Sequence, residues 1–241
     1  RATDMRLAGV HGGLKDNAIP TASHAEVIVR DADAARTVCA AMEAAFRNEY
    51  RTTDAGISVT VTRGAHGAAL DKAATERAIT LLCCAPNGIQ AMSAEIPGLV
   101  QTSLNLGILA ADEAGIHATF SVRSSIDSQK RMLIDRLTCL TEALGGTVTV
   151  DGDYPGWEYA PVSPLRELMR EVFVEQYGRE PVIAAIHAGL ECGLLISKLP
   201  GLDCVSVGPD IDEIHTFREK LHIASTQRTW ALLTETLKRM K

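Results

Sequence analysis

No apolar run in these 241 residues approaches the roughly 20 that a bilayer span requires. The first residues also lack the basic n-region and apolar h-region of a signal peptide. An excess of positive charge is missing too: 30 acidic against 24 basic side chains leave a formal charge of −6, which argues against broad nucleic-acid binding. The six cysteines, Cys39, Cys83, Cys84, Cys139, Cys192 and Cys204, have the spacing of neither a zinc ribbon nor a small disulfide scaffold. Most stand in apolar sequence, so free buried thiols in a reducing compartment are expected, with structural disulfides as the second reading. A cytoplasmic protein without membrane or nucleic-acid partners is the expectation. An initiator methionine is absent as well: Arg1 opens the chain and residues 2–10 read at once as a strand, so a start part-way through a longer protein is expected. What is present, 46% hydrophobic and 22% charged residues, is ordinary for a globular chain of one or two domains with a sizeable core.

In order, the chain predicts a strand to Val10, a turn-rich loop HGGLKDNAIP over residues 11–20, and an alternating strand over 21–30. Asp31 N-caps a helix over 32–50 whose apolar stripe is Ala35, Val38, Cys39, Met42 and Phe46. Residues 57–62 alternate as another strand, and 70–84 form a second amphipathic helix. With two prolines and two glycines, residues 85–99 read as loop. Strands over 101–110 and 116–123 follow, joined by a five-residue hairpin connection, then a helix over 128–144 that stops at Gly145-Gly146 and a strand over 147–151. Residues 1–152 thus read as one α+β layer, an antiparallel sheet with helices on one face. Residues 153–241 read as α/β. Ser163 with Pro164 opens a helix to Tyr177-Gly178, and Ser225 begins a last one running to Met240.

Between those helices lie two β-branched runs, 182–186 and 204–207, each ending in a polar loop. The first loop is His187-Ala-Gly-Leu-Glu191-Cys-Gly193; the second contains Asp210, Asp212, Glu213 and His215. Ligands in open α/β sheets gather beyond the carboxyl ends of strands, so both loops are candidate walls of a site.

HAGLECG, VSVGPDIDEIHTFREKLHI and the closing helix resemble the C-terminal end of the aminoacyl-histidine dipeptidases. Upstream, GGLKDNAIP, TSLNLGIL, VRSSIDS and YPGW carry the same resemblance in order, over most of the chain. It implies a di-zinc exopeptidase related to the aminoacylases and carboxypeptidases, hydrolysing Xaa-His dipeptides through metal-activated water and using zinc or another divalent ion. It implies that residues 1–152 are part of a lid and homodimerisation domain, and 153–241 the C-terminal part of the catalytic domain. Nearly all the metal ligands would then precede Arg1, leaving the fragment inactive alone. Two alternatives stay beside it: an aminoacylase or amidohydrolase of the same group, and a non-catalytic dimerisation module.

The resemblance makes His215 a metal ligand, a role for which a neutral imidazole is chemically suited. It makes Arg123 a clamp for the substrate's carboxylate through two parallel hydrogen bonds, although strand-end arginines are common without such a task. Glu191 reads as substrate-facing or as an acidic residue stabilising a helix N-terminus. Gly189, like Gly193, allows backbone to approach a ligand. Asn17 and Asn105 are candidate polar contacts to substrate or turn residues satisfying backbone. His187 carries no assigned role, Cys192 reads as a core thiol rather than a nucleophile, and Asp210, Asp212 and Glu213 read as solvated or supporting carboxylates.

Overall fold

The computed structural model describes residues 4–64, 68–112, 115–185, 191–214 and 216–240. Its elements are β1 (Met5–Gly12), β2 (Ser23–Val29), α1 (Ala32–Glu49), α2 (Lys72–Cys84), β3 (Gly88–Met92), β4 (Val100–Asp112), β5 (Gly115–Ser124), α3 (Asp127–Ala143), α4 (Pro164–Tyr177), α5 (Glu191–Lys198), β6 (Ile211–Asp212), β7 (Lys220–Leu221) and α6 (Ile223–Arg239). Five strands form one sheet in the order β2-β1-β4-β3, with β5 also on β4. β1 runs antiparallel to both β2 and β4, so the chain has the expected mixed α/β character with an antiparallel sheet. The chain falls into two compact units. The first takes in the described residues up to Gly88, Ser103–Val122 and Met132–Thr149; the second takes in Ile89–Thr102, Arg123–Arg131 and the described residues from Val150 onward.

In the first unit, the core begins at an irregularity of β1. Leu7 and Val10 are both buried although three residues apart, an odd spacing that would put them on opposite faces of a regular strand. A register shift between Leu7 and Gly9 against β2 restores them to one side. The backbone groups of Leu7 find their partners outside the β1–β2 ladder. The Leu7 N–H donates to the buried Thr75 hydroxyl (3.1 Å), and the Leu7 carbonyl accepts from Leu70 N–H (2.8 Å). Those bonds seat α2 on β1, with Ala78, Leu70, Leu109 and Ile116 completing the cluster. A second cluster joins Leu133 and Leu137 of α3 to Leu104 of β4, with Ala85, Phe120 and Val122 against them.

In the second unit, α4 is delimited as its sequence predicts. Ser163 accepts from Arg166 N–H (3.1 Å), Pro164 occupies the first turn, and Gly178 ends the helix at φ 66°. α4 packs on α6, where the Tyr177 hydroxyl donates to the Arg228 carbonyl (3.1 Å) and Arg239 forms a two-pronged pair with Glu175.

Several expected elements differ. Residues 57–62 form no strand; the Val59 N–H donates to the Glu43 carboxylate (3.2 Å) and the Ile57 carbonyl accepts from Arg47 Nε (2.7 Å), so α1 side chains take the bonds a neighbouring strand would. Residues 147–151, 182–185 and 204–207 are likewise outside any strand, and Val182 is 89% exposed; residue 186 lies outside the described residues. Conversely, 85–99 is not all loop. Gly88, at φ 79°, opens β3 rather than interrupting it, and the Ser93 hydroxyl then accepts from Glu95 and Ile96 N–H to make the following turn. The β4–β5 connection is shorter than expected, because β4 reaches Asp112 and β5 starts at Gly115. α2 starts at Lys72, capped by Asp71, since Leu70 is held by Leu7. α6 starts at Ile223, and the Ser225 hydroxyl accepts from Asp210 N–H (2.8 Å) instead of capping. All six cysteines are free, and Cys83, Cys84 and Cys139 are exposed rather than buried, because they stand on the outer sides of their helices or at a helix end.

Candidate functional site

A cavity of about 810 Å³ lies wholly within the second unit. One wall is the end of β5 and the turn after it, Arg123 to Ile126; a second is the segment 154–160; a third is α4, through Met169, Phe173 and Tyr177. Residues 182–185 and 204–208 line it as well, with Arg228 and Leu232 of α6. Four stretches singled out in the sequence, VRSS, YPGW and the two apolar runs before the polar loops, therefore meet around one space.

The wall carrying Arg123 is fixed by a chain of hydroxyls. The Thr102 hydroxyl, fully buried, donates to Gln129 Oε1 and accepts from the Ser124 hydroxyl (2.7 Å), which accepts in turn from Ile126 N–H (3.0 Å). The adjoining wall, 154–160, is tied to the start of α3. Lys130 Nζ donates to Asp153 Oδ1 (2.6 Å) and to the Tyr154 carbonyl and lies 3.3 Å from Asp127 Oδ1, which itself accepts from Gly156 N–H (2.9 Å). That Gly156 bond, more than the Lys130 charge, holds the Asp127 carboxyl below the usual carboxylate range. Burial alone would lower the Lys130 ammonium; its bonds to Asp153 and Asp127 outweigh burial and raise it.

Three further lining arginines are engaged with the protein. Arg166 donates to the carbonyls of Ala160 (2.8 Å) and Pro161 (3.0 Å) and stacks on Tyr159, Arg228 lies 3.4 Å from Asp210, and Arg179 lies over Phe173. The Cys192 thiol is pushed up first by burial and then by its neighbour Cys204, which disfavours the thiolate a nucleophile needs.

Of the expected site residues, Arg123 lines the cavity. Glu191 is exposed at the first position of α5, where its charge meets the helix N-terminus. Asn17 and Asn105 belong to the first unit; the Asn105 amide donates to the carbonyls of Asp16 (3.3 Å) and Ala18 (2.8 Å), and so holds the loop that contains Asn17. His215, Gly189 and His187 lie outside the described residues. The neighbours of His215 form a tight turn: Glu213, the one non-glycine with positive φ (49°) among the described residues, accepts from Thr216 N–H and hydroxyl between the short strands β6 and β7. Gly193 gives up its side chain to the protein rather than to a ligand, since a Cβ there would stand 2.8 Å from the Pro155 carbonyl. Lys130, Asp127 and Asp153 are not among the residues expected from the sequence, although Asp-x-x-Lys in a first helical turn and an aspartate just before YPGW are visible there.

Among the described residues no three His, Cys, Asp or Glu side chains converge to hold a metal ion. No described helix is long and apolar enough to cross a membrane.

No family model matches the chain. Across 238 residues, 98% of its length, it is 34% identical to the cytosol non-specific dipeptidase of Escherichia coli K12, of which it covers 49%. The crystal structure of aminoacylhistidine dipeptidase from Vibrio alginolyticus superposes on 99% of it with a TM-score of 0.88 at 30% identity, again over 49% of that chain. In sequence and in fold the chain is thus similar to dipeptidases. It spans about half the length of the dipeptidases it matches. Aminopeptidase PepT from Bacillus cereus, 20% identical with a TM-score of 0.50 over 68% of this chain, shares the fold alone.

Proposed function

We propose that the protein to which these residues belong is a cytoplasmic metallodipeptidase that hydrolyses dipeptides, Xaa-His among them. The observation that carries this reading is the 34% identity to a dipeptidase along nearly the whole chain. Zinc, as a pair of ions, is the proposed cofactor, and when bound it supplies a Lewis acid and an acidified water. His215 is the proposed ligand from this chain, and substrate binding is the proposed share of the residues that line the cavity.

A dipeptide ends in a carboxylate, and Arg123 on the cavity wall is the proposed clamp for it, its planar guanidinium offering two parallel N–H donors. The rings of Tyr154, Trp157 and Phe173 line the same space and suit a side chain such as imidazole. Glu191 and Gly189 are proposed as further substrate contacts, and Asn17 and Asn105 as weaker ones. Residues 1–152 are proposed as part of a lid and homodimerisation domain, and 153–241 as part of the catalytic domain. β2, at the edge of the sheet, leaves Val27 and Ile28 exposed, as a strand awaiting a partner would; sedimentation of the full protein reads this directly, a monomer at high concentration removing it.

The full protein carrying Arg123→Ala should retain its metal and lose about 2 to 5 kcal/mol of transition-state stabilisation on substrates with a free carboxylate, and much less on the matching amides. His215→Ala should lower metal content, read by mass spectrometry, and turnover with it. An Arg123→Ala defect equal on acid and amide, or full metal occupancy in His215→Ala, overturns the corresponding role.

A further inference from the structure

We propose that Lys130 is a positioning residue for the cavity, setting the distance between the Arg123 wall and the Tyr154–Trp157 wall. A lysine is almost never buried without partners, because removing an ammonium from water costs more than its carbon stem returns. The Lys130 side chain is nonetheless only 9% exposed. Its three N–H donors face three acceptors, Asp153 Oδ1, Asp127 Oδ1 and the Tyr154 carbonyl, so the charge is satisfied and its orientation is determined.

The acceptors come from two places in the chain. Asp127 opens α3, four residues beyond Arg123, whereas Asp153 and Tyr154 lead into YPGW. The ammonium is therefore a joint between them, and the Asp127 carboxylate extends it by accepting the Gly156 N–H as well (2.9 Å). Beyond the joint there is no slack. A Cβ on Gly156 would stand 2.3 Å from the Ser125 carbonyl, and one on Gly193 would stand 2.8 Å from the Pro155 carbonyl. Ser125 follows Arg123 by two residues, so the backbone that presents the arginine and the backbone that presents Trp157 touch, and Lys130 holds them in register. For a substrate gripped at its carboxylate by Arg123 and at its side chain by the rings, that register sets how well both grips are made at once. This role rests on the dipeptidase reading for its effect on substrate, and on geometry alone for its effect on the wall.

In the full protein, Lys130→Met keeps the stem and removes the charge. KM should rise about tenfold with kcat within about threefold of wild type, because binding geometry is lost while the reacting groups stay. Lys130→Arg, which keeps charge but not the compact three-donor head, should fall between the two. In a background where every tryptophan of the full protein except Trp157 is replaced by Phe, Trp230 among them, acrylamide quenching of Trp157 should increase at least about twofold in Lys130→Met. If Lys130→Met does not fold, Asp153→Asn carries the same measurements. Unchanged KM and unchanged quenching overturn the proposal, as do parallel losses of kcat, KM and melting temperature that Lys130→Arg fails to relieve. A wild-type protein without dipeptidase activity removes the function proposed above, while the quenching of Trp157 still decides the role of Lys130.

Discussion

Single glycines carry much of the discrimination in this chain, for two separable reasons. Gly13 has φ 74°, and a Cβ there would also stand 1.8 Å from the Gly107 carbonyl; Gly107 has ordinary φ, and its own Cβ would meet the Asp16 carbonyl at 2.1 Å. Loop and strand thus lie backbone to backbone, with the Asn105 amide bonding the same loop at Asp16 and Ala18. Gly178 has φ 66° but open space where a Cβ would go. Gly178→Ala should therefore cost about 1 to 2 kcal/mol, the left-handed penalty alone. Gly13→Ala and Gly107→Ala should cost about 3 kcal/mol or more, since backbone must move. Urea unfolding of the three variants checks the order; equal losses would mean that close approach has no weight. The sequence shows Gly13 in a loop, Gly178 at a helix end and Gly107 within a strand, yet only the partner backbone reveals which of them is pressed against another. The same is true of Asn105, a polar residue in a promising motif whose amide serves the chain's own carbonyls, and of Gly193, which admits Pro155.

Helices are legible because their signals are local. Asp31 and Ser163 as caps, Pro164 and Gly178 all stand where spacing and capping chemistry put them. Strands are less so, because a strand is completed by a partner that its own residues do not specify. Residues 57–62 alternate correctly and bond α1, while β3 is hidden by the prolines and glycines that bound it. One tertiary contribution improves on the local signal. Asp203, far along the chain, accepts the Ser163 hydroxyl at Oδ1 (2.6 Å) and the Leu165 N–H at Oδ2 (2.8 Å), so the α4 N-terminus has two caps that also bond each other. Ser163→Ala and Asp203→Ala should each cost about 1 to 2 kcal/mol, and the double variant clearly less than their sum. Additive losses in a double-mutant cycle would show that the two caps act independently.

At the scale of the whole molecule, the site is legible as far as motifs reach: Arg123 and YPGW are marked in the sequence and do share a cavity, whereas the joint beneath them is not, because Lys130 and its carboxylates look like surface charge in a linear sequence. That joint gives the molecule a definite pH dependence. Asp127 is held below its ordinary 3.8, first by the Gly156 N–H, and Glu175 and Glu235 below their 4.5 by bonds to Arg239. A depressed carboxylate stabilises the fold above its unfolded value and loses that contribution as pH falls through the lower, folded one. Lys130 has the opposite sign. Raised above 10.5, it stabilises fully below that value and loses its contribution as pH rises through the folded one. Stability should therefore be flat between about pH 4.5 and 10.5 with respect to these groups and fall on both sides. Asp127→Asn should lower the plateau and make the acid fall shallower, having one proton fewer to take up. Lys130→Met should lower it further and remove its share of the alkaline fall, since Asp127 and Asp153 then face each other without a cation between them. Urea unfolding from pH 3 to 11 measures both limbs; an alkaline limb identical in wild type and Lys130→Met would mean that the ammonium does not titrate with the fold, and that the wall is held by the Gly156 bond alone.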